Sequence, residues 1–325
     1  MSASKVLLAA IAALSLGTAG ASAQTTNLKL GFATAATSPY GYAAKIFADE
    51  VKEKSGGRIT IEVFPASQLG GEREMLESLQ IGTLDLNFTS PAPLANFVKE
   101  AGIFEVPFLI RGFDHANAVL DGPVGAGLRK KINERNFVSL GFGYLGPVHL
   151  VTNKRAITKP DDLKGMKIRT QENEIHLITF RTLGALPTPM AFPELFGALQ
   201  QGVVDGMDNP STTVQSGRFF QAAKYLSLTG HRFIVTPILA SPAIWAKLNE
   251  ADRKIVADAA RVAGEALRKR VRELEDETVK ALGTAGMEVV KVSDTDAFVK
   301  ALQPANAEFE KRFGKDVIDS IRNTK

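Results

Sequence analysis

The sequence predicts an α/β protein made of two similar α/β domains that face each other across a cleft. Three observations lead there. The chain opens on a strand–helix–strand pattern, a segment of the form Leu-Gln-x-Gly-x-x-Asp occurs twice in matched surroundings, and one helix is too long for a single small domain. At 325 residues the chain is long enough for two domains.

"LKLGFAT", residues 28–34, reads as the first strand. Residues 42–54 put Ala43, Ala44, Phe47 and Val51 on one helical face and Lys45, Asp49, Lys52 and Glu53 on the other, with Gly56-Gly57 as the stop. "RITIEVF", residues 58–64, alternates as a second strand. This order begins a parallel sheet with helical crossovers. Further strands are expected at residues 138–145, 148–152, 167–169, 234–240 and 287–292.

Residues 249–282 contain no proline, have glycine only at Gly264, and are rich in Ala, Glu, Lys and Arg. Asn249 can cap this helix and Gly283 can end it. At about 1.5 Å per residue it would run roughly 50 Å, enough to span two domains. A break near Gly264 is the alternative. The repeated segment occurs as "LQIGTLDLNFTSP" (residues 79–91) and "LQQGVVDGMDNP" (residues 199–210). Each reads as a helix end, a left-handed glycine, a short strand and a polar loop. Ligands of open α/β sheets sit beyond the carboxyl ends of the strands, so the loops after Asp85 and Asp205 should both border the cleft.

Composition narrows the chemistry. With no cysteine, the chain has no disulfide, thiolate metal site, thiol nucleophile or lipid-anchored cysteine. The net charge is +4, and the densest basic run, Arg268-Lys269-Arg270-Val271-Arg272, is followed at once by Glu273, Glu275, Asp276 and Glu277. That is a solvated helix face, not a nucleic-acid patch. The N-terminus combines Lys5, an apolar run from Val6 to Leu16, and Ala21-Ser22-Ala23. Residues 1–23 are therefore expected to be a signal peptide, cleaved after Ala23, and the mature protein to be exported to the periplasm. The apolar run is too short for a membrane anchor.

Enzymatic motifs are missing or out of context. "GFGYLG", residues 141–146, fits G-x-G-x-x-G, but Pro147 and the β-type "VHLVT" follow where a helix should begin, so no dinucleotide is expected there. Neither a phosphate-binding loop nor a G-x-S-x-G elbow occurs. The four histidines, His115, His149, His176 and His231, show no metal-ligand spacing. No cofactor and no metal are expected.

One residue stands out. In "GMKIRTQENEIH", residues 165–176, a short alternating strand ends on Arg169. A strand-end arginine can pair with an acidic loop to hold the fold. It is also the side chain best suited to bidentate carboxylate recognition, being planar, always charged and fork-shaped.

The surroundings of Arg169 resemble a known family. "DLKGMKIRTQENEIHLITFRTLGALPTPMAFPELFGALQQGVVDGMDNP", residues 162–210, is similar to the signature region of the TRAP-type periplasmic solute-binding proteins, the C4-dicarboxylate-binding protein family. "SQLGGEREMLESLQIGTLDL", "FEVPFLI" and "RFFQAAKYLSLTGH" match it as well, so the likeness covers essentially residues 28–325. The resemblance implies a periplasmic binding protein-like fold with crossing strands and a domain-spanning helix. Domain I would hold residues 25–146 and 233–274, and domain II residues 147–232 and 275–325.

The resemblance also implies a function: capture of an organic acid by domain closure, and delivery to the membrane subunits of an ion-driven TRAP transporter. It implies no catalysis, no nucleic acid and a monomer. Arg169 falls on the carboxylate clamp, Asn209 on an asparagine that bonds the same group, and Phe192 on an aromatic that packs on the ligand. Asp208 stands where the motif usually has Glu. Glu72 and the Thr89-Ser90 loop align with positions that tune specificity. His149 stands near a second arginine of some members and would assist the ion pair, and His176 is a further possible cleft residue. The loop after Phe88 lacks the charge of some sialic-acid binders, which favours a smaller or less polar acid. The alternatives are a binding protein for a neutral sugar or polyol, and a periplasmic enzyme or sensor subunit.

Overall fold

The computed structural model describes residues 25–325. The expected signal peptide, residues 1–23, lies outside the described residues. The strands are β1 (Thr26–Gly31), β2 (Ile59–Phe64), β3 (Leu86–Phe88), β4 (Val138–Thr152), β5 (Lys167–Thr170), β6 (Leu186–Pro189), β7 (Gly206–Pro210), β8 (Tyr225–Ala240) and β9 (Glu288–Lys291). The helices are α1 (Pro39–Lys54), α2 (Glu72–Ile81), α3 (Pro91–Leu94), α4 (Phe113–Asp121), α5 (Pro123–Asn133), α6 (Glu174–Thr182), α7 (Leu195–Gln200), α8 (Ser211–Ser216), α9 (Pro242–Lys247), α10 (Glu250–Thr284), α11 (Thr295–Ala301), α12 (Gln303–Phe313) and α13 (Lys315–Asn323).

All strands join one sheet of order β2-β1-β3-β8-β4-β7-β5-β6, with β9 beside β8. The outer strands form two copies of one motif. β1 lies parallel between β2 and β3, and β5 lies parallel between β6 and β7. The repeated sequence builds the same device in each. Gly82 and Gly202 both take left-handed backbone (φ 79° and 70°), just after α2 and α7. The aspartate that follows accepts a main-chain N–H from the neighbouring parallel strand: Asp85 Oδ2 from Lys29 (2.8 Å) and Asp205 Oδ2 from Lys167 (2.9 Å). The carboxylate thereby ties the start of a three- or five-residue strand to its partner, where strand length alone gives few ladder bonds.

β4 and β8 cross from one copy to the other. The two strands expected at residues 138–145 and 148–152 are one strand, with register shifts at Ser139/Gly141, Tyr144/Gly146 and Val148/Leu150 that absorb the glycines and Pro147. The sequence "GFGYLG" lies within it, so no helix begins there. β8 starts at Tyr225 instead of residue 234, because its first half buries Ser227, Thr229, His231 and Arg232, polar residues that hide the strand from a hydrophobicity pattern. The other expected strands and α1 are present with shifted ends. α1 begins at Pro39, capped by Ser38.

α10 is continuous over 35 residues, capped by Asn249, whose side chain accepts the Asp252 N–H. It passes through Gly283, which packs as an ordinary helical residue 3.6 Å from Val289 at the Cβ position. The stop is Gly286 (φ 101°), where Met287 N–H bonds back to the Leu282 carbonyl. Gly264 lets α10 lie on β4 and β8: a Cβ there would sit 3.0 Å from the Phe142 carbonyl oxygen and 3.2 Å from Ile238 Cδ1.

The apolar interior falls into a large cluster around Phe32, Phe47, Phe88 and Leu239, and two smaller ones around Met207 and Leu226 and around Ile168 and Phe180. Ala305, Phe309, Ile318 and Ile321 of α12 and α13 belong to the large cluster, which also takes in Val148 and Ile175. Among the described residues no helix is long and apolar enough to cross a membrane.

Gly264→Leu should lower the unfolding free energy by about 1–3 kcal/mol through overpacking of α10 on the crossing strands. Urea unfolding measures it, and an unchanged midpoint would mean that this contact does not hold the two halves.

Candidate functional site

The parallel strands of both copies end at one place. Two small adjoining cavities there, each of about 30 Å³, share Glu72, Arg169, Gln171 and Phe192. The inner one is also lined by Tyr40, Ser90, Asn209 and Thr213, with Leu145 and Ile234 of the crossing strands as its floor. Each half contributes its βα connections, as open α/β sheets do. A larger groove lies on the outer side of the first half, beside Phe104, Leu128 and Phe313, but its charged residues are exposed or half-buried.

Arg169 defines the inner cavity. Its side chain is 2% exposed. Nε and Nη2 both donate to the Met190 carbonyl (3.0 and 2.7 Å), and among the described residues no carboxylate lies within ion-pair distance and Nη1 makes no hydrogen bond. A buried charge without a partner is costly. Burial lowers its pKa to about 10, against the pull of Asp208 and Glu72. The acidic loop partner of the alternative reading is therefore not found among the described residues: a main-chain carbonyl orients the guanidinium, and Asp208 and Glu72 act on its charge only from beyond ion-pair distance.

The second buried arginine shows the contrast. Arg232 Nη1 meets Glu105 Oε2 at 2.5 Å and Nη2 meets Asp208 Oδ2 at 2.9 Å. Burial works against its charge, but these two carboxylates raise its pKa on balance. Burial likewise opposes ionisation of Asp208 and Glu105, yet Arg232 and the adjacent histidines hold both below the usual carboxylate range. His231 Nε2 reaches Asp208 Oδ2 (3.3 Å), and His176 Nε2 reaches Glu105 Oε2 (2.5 Å). His176 is thus a structural member of this cluster.

Strand geometry sorts the remaining candidates. Met207 and Asn209 share one face of β7 and Asp208 takes the other, since successive side chains alternate. Asn209 consequently lines the cavity, where its Nδ2 has only the Met207 sulfur at 3.2 Å, a weak acceptor. Asp208 is committed to Arg232 and His231 and does not line the cavity. His149 does not line it either. Its Nδ1 accepts the Gly230 N–H (3.1 Å) and its Nε2 faces Glu275 Oε1 (3.2 Å), whose other oxygen accepts from Ser211. Phe192 comes from a 3-10 turn, Phe192–Glu194, and edges onto Phe219.

On the opposite wall stands Glu72, in the first turn of α2. Its Oε1 accepts from Ser90 N–H (2.7 Å) and Thr89 Oγ1 (3.3 Å), and its Oε2 from Ser90 Oγ (3.1 Å) and Gln171 Nε2 (2.9 Å). Burial pushes its pKa up, against the donors from Ser90, the Arg169 charge and Thr89. Burial and the Glu72 charge together raise the pKa of Tyr40, whose hydroxyl contacts Thr236 (2.9 Å).

The sequence did not single out Gln171, Tyr40 or Thr213. Gln171 lies only two residues beyond Arg169, just past the end of β5, and that closeness was the available signal. Among the described residues no group of three or more His, Cys, Asp or Glu could hold a metal ion.

Two copies of a parallel α/β motif, joined by crossing strands and sharing a cavity at their carboxyl ends, make this a two-lobed binding protein. More narrowly, the chain belongs to the bacterial extracellular solute-binding proteins, family 7, which match it over residues 30–312. It is 43% identical over 305 residues, 94% of this chain and 91% of the relative, to a solute-binding protein of Verminephrobacter eiseniae (strain EF01-2). A TRAP periplasmic solute-binding protein from Polaromonas sp. JS666, solved bound to D-erythronate, has a TM-score of 0.91 at 45% identity, covering 92% of this chain and 99% of that one. Another, from Bordetella, with density interpreted as pantoate, has a TM-score of 0.90 at 44% identity, covering 93% and 100%.

In ligand-free protein, Arg232→Met should cost about 3–5 kcal/mol, since Glu105 and Asp208 lose their buried cation. Arg169→Met should be neutral or stabilising. Urea unfolding compares them, and an equal loss for Arg169→Met would make its charge part of the fold. The acid limb gives a second check. Asp208 and Glu105 have depressed folded pKa values, so their stabilisation is complete above their unfolded values of 3.8 and 4.5 and is lost as pH falls through the folded ones. Stability attributable to the pair should hold from pH 7 to about 5 and fall in stronger acid, and Asp208→Asn should be less stable at pH 7 with a shallower acid limb. A parallel downward shift at every pH would contradict this.

Proposed function

We propose that this protein captures a small hydroxy-carboxylate in the periplasm and delivers it to the membrane subunits of a TRAP transporter. The observation that carries the reading is the buried Arg169 guanidinium, without an ion-pair partner among the described residues, at a cavity between the two halves. An anion there supplies the missing countercharge, with the Asn209 amide beside it and Phe192 covering its apolar face. A neutral sugar or polyol would leave the charge uncompensated.

Several contacts support domain closure as the mechanism. Gln171 Nε2 bonds Glu72 and Ser90 across the cavity (2.9 and 2.8 Å), Asn173 Nδ2 bonds the Ala92 carbonyl (2.9 Å), and Asn96 Nδ2 bonds the Glu172 carbonyl (3.0 Å). These tie the two rims together, and a ligand that adds its own contacts in the closed state shifts the population towards it. The erythronate and pantoate of the two solved relatives are both four-carbon-chain acids with one carboxylate and hydroxyls at carbons 2 and 4. We take that class as the first to test here. No bond is made or broken in this mechanism. Glu72, the one carboxylate lining the inner cavity among the described residues, is occupied by four donors.

A thermal-shift screen of refolded mature protein against acids and their amide or alcohol analogues tests the reading. A true ligand at about 100 times its Kd adds about 2.7 kcal/mol. Acids should shift the melting temperature and their neutral analogues should not. Arg169→Ala should abolish the shift in a folded protein, and Asn209→Ala should weaken binding by about 1–3 kcal/mol. Shifts from neutral compounds alone would overturn it.

A further inference from the structure

We propose that Glu72 makes the site a charge filter, accepting acids with one carboxylate and a hydroxyl at the far end and rejecting dicarboxylates on the same carbon skeleton. The inference rests on the reading that Arg169 holds the ligand carboxylate. Arg169 and Glu72 line the same cavities from opposite halves of the protein. A ligand that spans the cavity with its carboxylate at the guanidinium directs its other end to Glu72.

The surroundings of Glu72 specify what that end can be. Both carboxylate oxygens accept an N–H, Oε1 from Ser90 and Oε2 from Gln171, and each also has a hydroxyl as partner. These donors and the Arg169 charge favour the ionised acceptor form, against the burial that pushes the Glu72 pKa up on balance. Its position in the first turn of α2 favours the ionised form too. The other charged groups on the outer cavity are Glu74, Glu172 and Arg73, and Arg73 is exposed and paired with Glu77 (3.2 Å). On the wall that carries Glu72, two acidic groups stand beside one exposed, paired arginine, and among the described residues Arg169 is the one buried cation lining the cavity. A second ligand carboxylate would meet Glu72 without a cation of its own, an arrangement of like charges that is strongly disfavoured away from water. A hydroxyl, in contrast, can donate to Glu72 Oε2 in place of the Gln171 amide, which keeps Ser90 Oγ as an acceptor 2.8 Å away. Gln171 then serves as a latch that a hydroxyl-bearing ligand can replace at no loss of hydrogen bonds.

Erythritol, D-erythronate and meso-tartrate carry zero, one and two carboxylates on one four-carbon skeleton. Their Kd values for the wild type and for Glu72→Gln, measured by calorimetry on the mature protein, test the filter. The wild type should bind erythronate about 100-fold or more tighter than meso-tartrate. Glu72→Gln should narrow that ratio to about tenfold or less, mainly through tighter tartrate binding, with circular dichroism confirming the fold. If this skeleton is not the right length, the comparison moves to the first monocarboxylate that binds and its diacid oxidised at the far end. Equal wild-type affinities for monoacid and diacid, or an unchanged ratio in folded Glu72→Gln, would overturn the filter and leave the carboxylate clamp intact. Binding of erythritol alone would overturn the clamp and the filter with it.

Discussion

A guanidinium buried without a carboxylate partner is the constraint around which this structure is arranged. Among the described residues two arginines are almost fully buried, and they differ in one respect. Arg232 is bracketed by Glu105 and Asp208, while Arg169 has only the Met190 carbonyl. A paired buried charge is a structural element. An unpaired one is an unfavourable state, and on the proposed reading an incoming anion relieves it, so that part of the affinity comes from a cost already met in folding.

The scaffold makes that state possible. Two copies of a parallel motif place the ends of β1, β3, β5 and β7 around one cavity, and the Asp85 and Asp205 carboxylates fix the short strands that carry the Ser90 loop and Asn209. The crossing strands β4 and β8 give the cavity its floor, and α10 lies against them along Gly264. The Arg232 cluster draws residues from β7, β8, α6 and the segment before α4 into one buried network, which joins the two halves through Glu105 while using no group that lines the cavity.

Much of this was legible in the sequence, for specific physical reasons. The Leu-Gln-x-Gly-x-x-Asp repeat encodes a local device that requires a left-handed glycine and a carboxylate, so it survives as residue identities. Arg169 stood out because a charge on an alternating apolar strand is conspicuous. Other features depended on pairing at a distance. The first half of β8 is polar because several of its buried residues find partners elsewhere in the chain, His231 and Arg232 in Asp208 and Ser227 in the Ile157 N–H. His149 and Asp208 sit at positions that the family resemblance assigns to the ligand, yet Glu275 and Arg232, far away in sequence, engage them. Gly283 looked like a helix stop because a glycine at a helix end is ambiguous until the backbone is known, and Gly286 takes the left-handed turn.

The most direct test of the central claim is a crystal structure of the protein with a carboxylate ligand bound. The expected result is a ligand carboxylate at about 2.7–2.9 Å from Arg169 nitrogens, Nη1 included, with Asn209 turned onto the same group and the Met190 carbonyl still in place. A ligand whose carboxylate lies elsewhere in the cavity, with Arg169 bonded only to Met190, would contradict it.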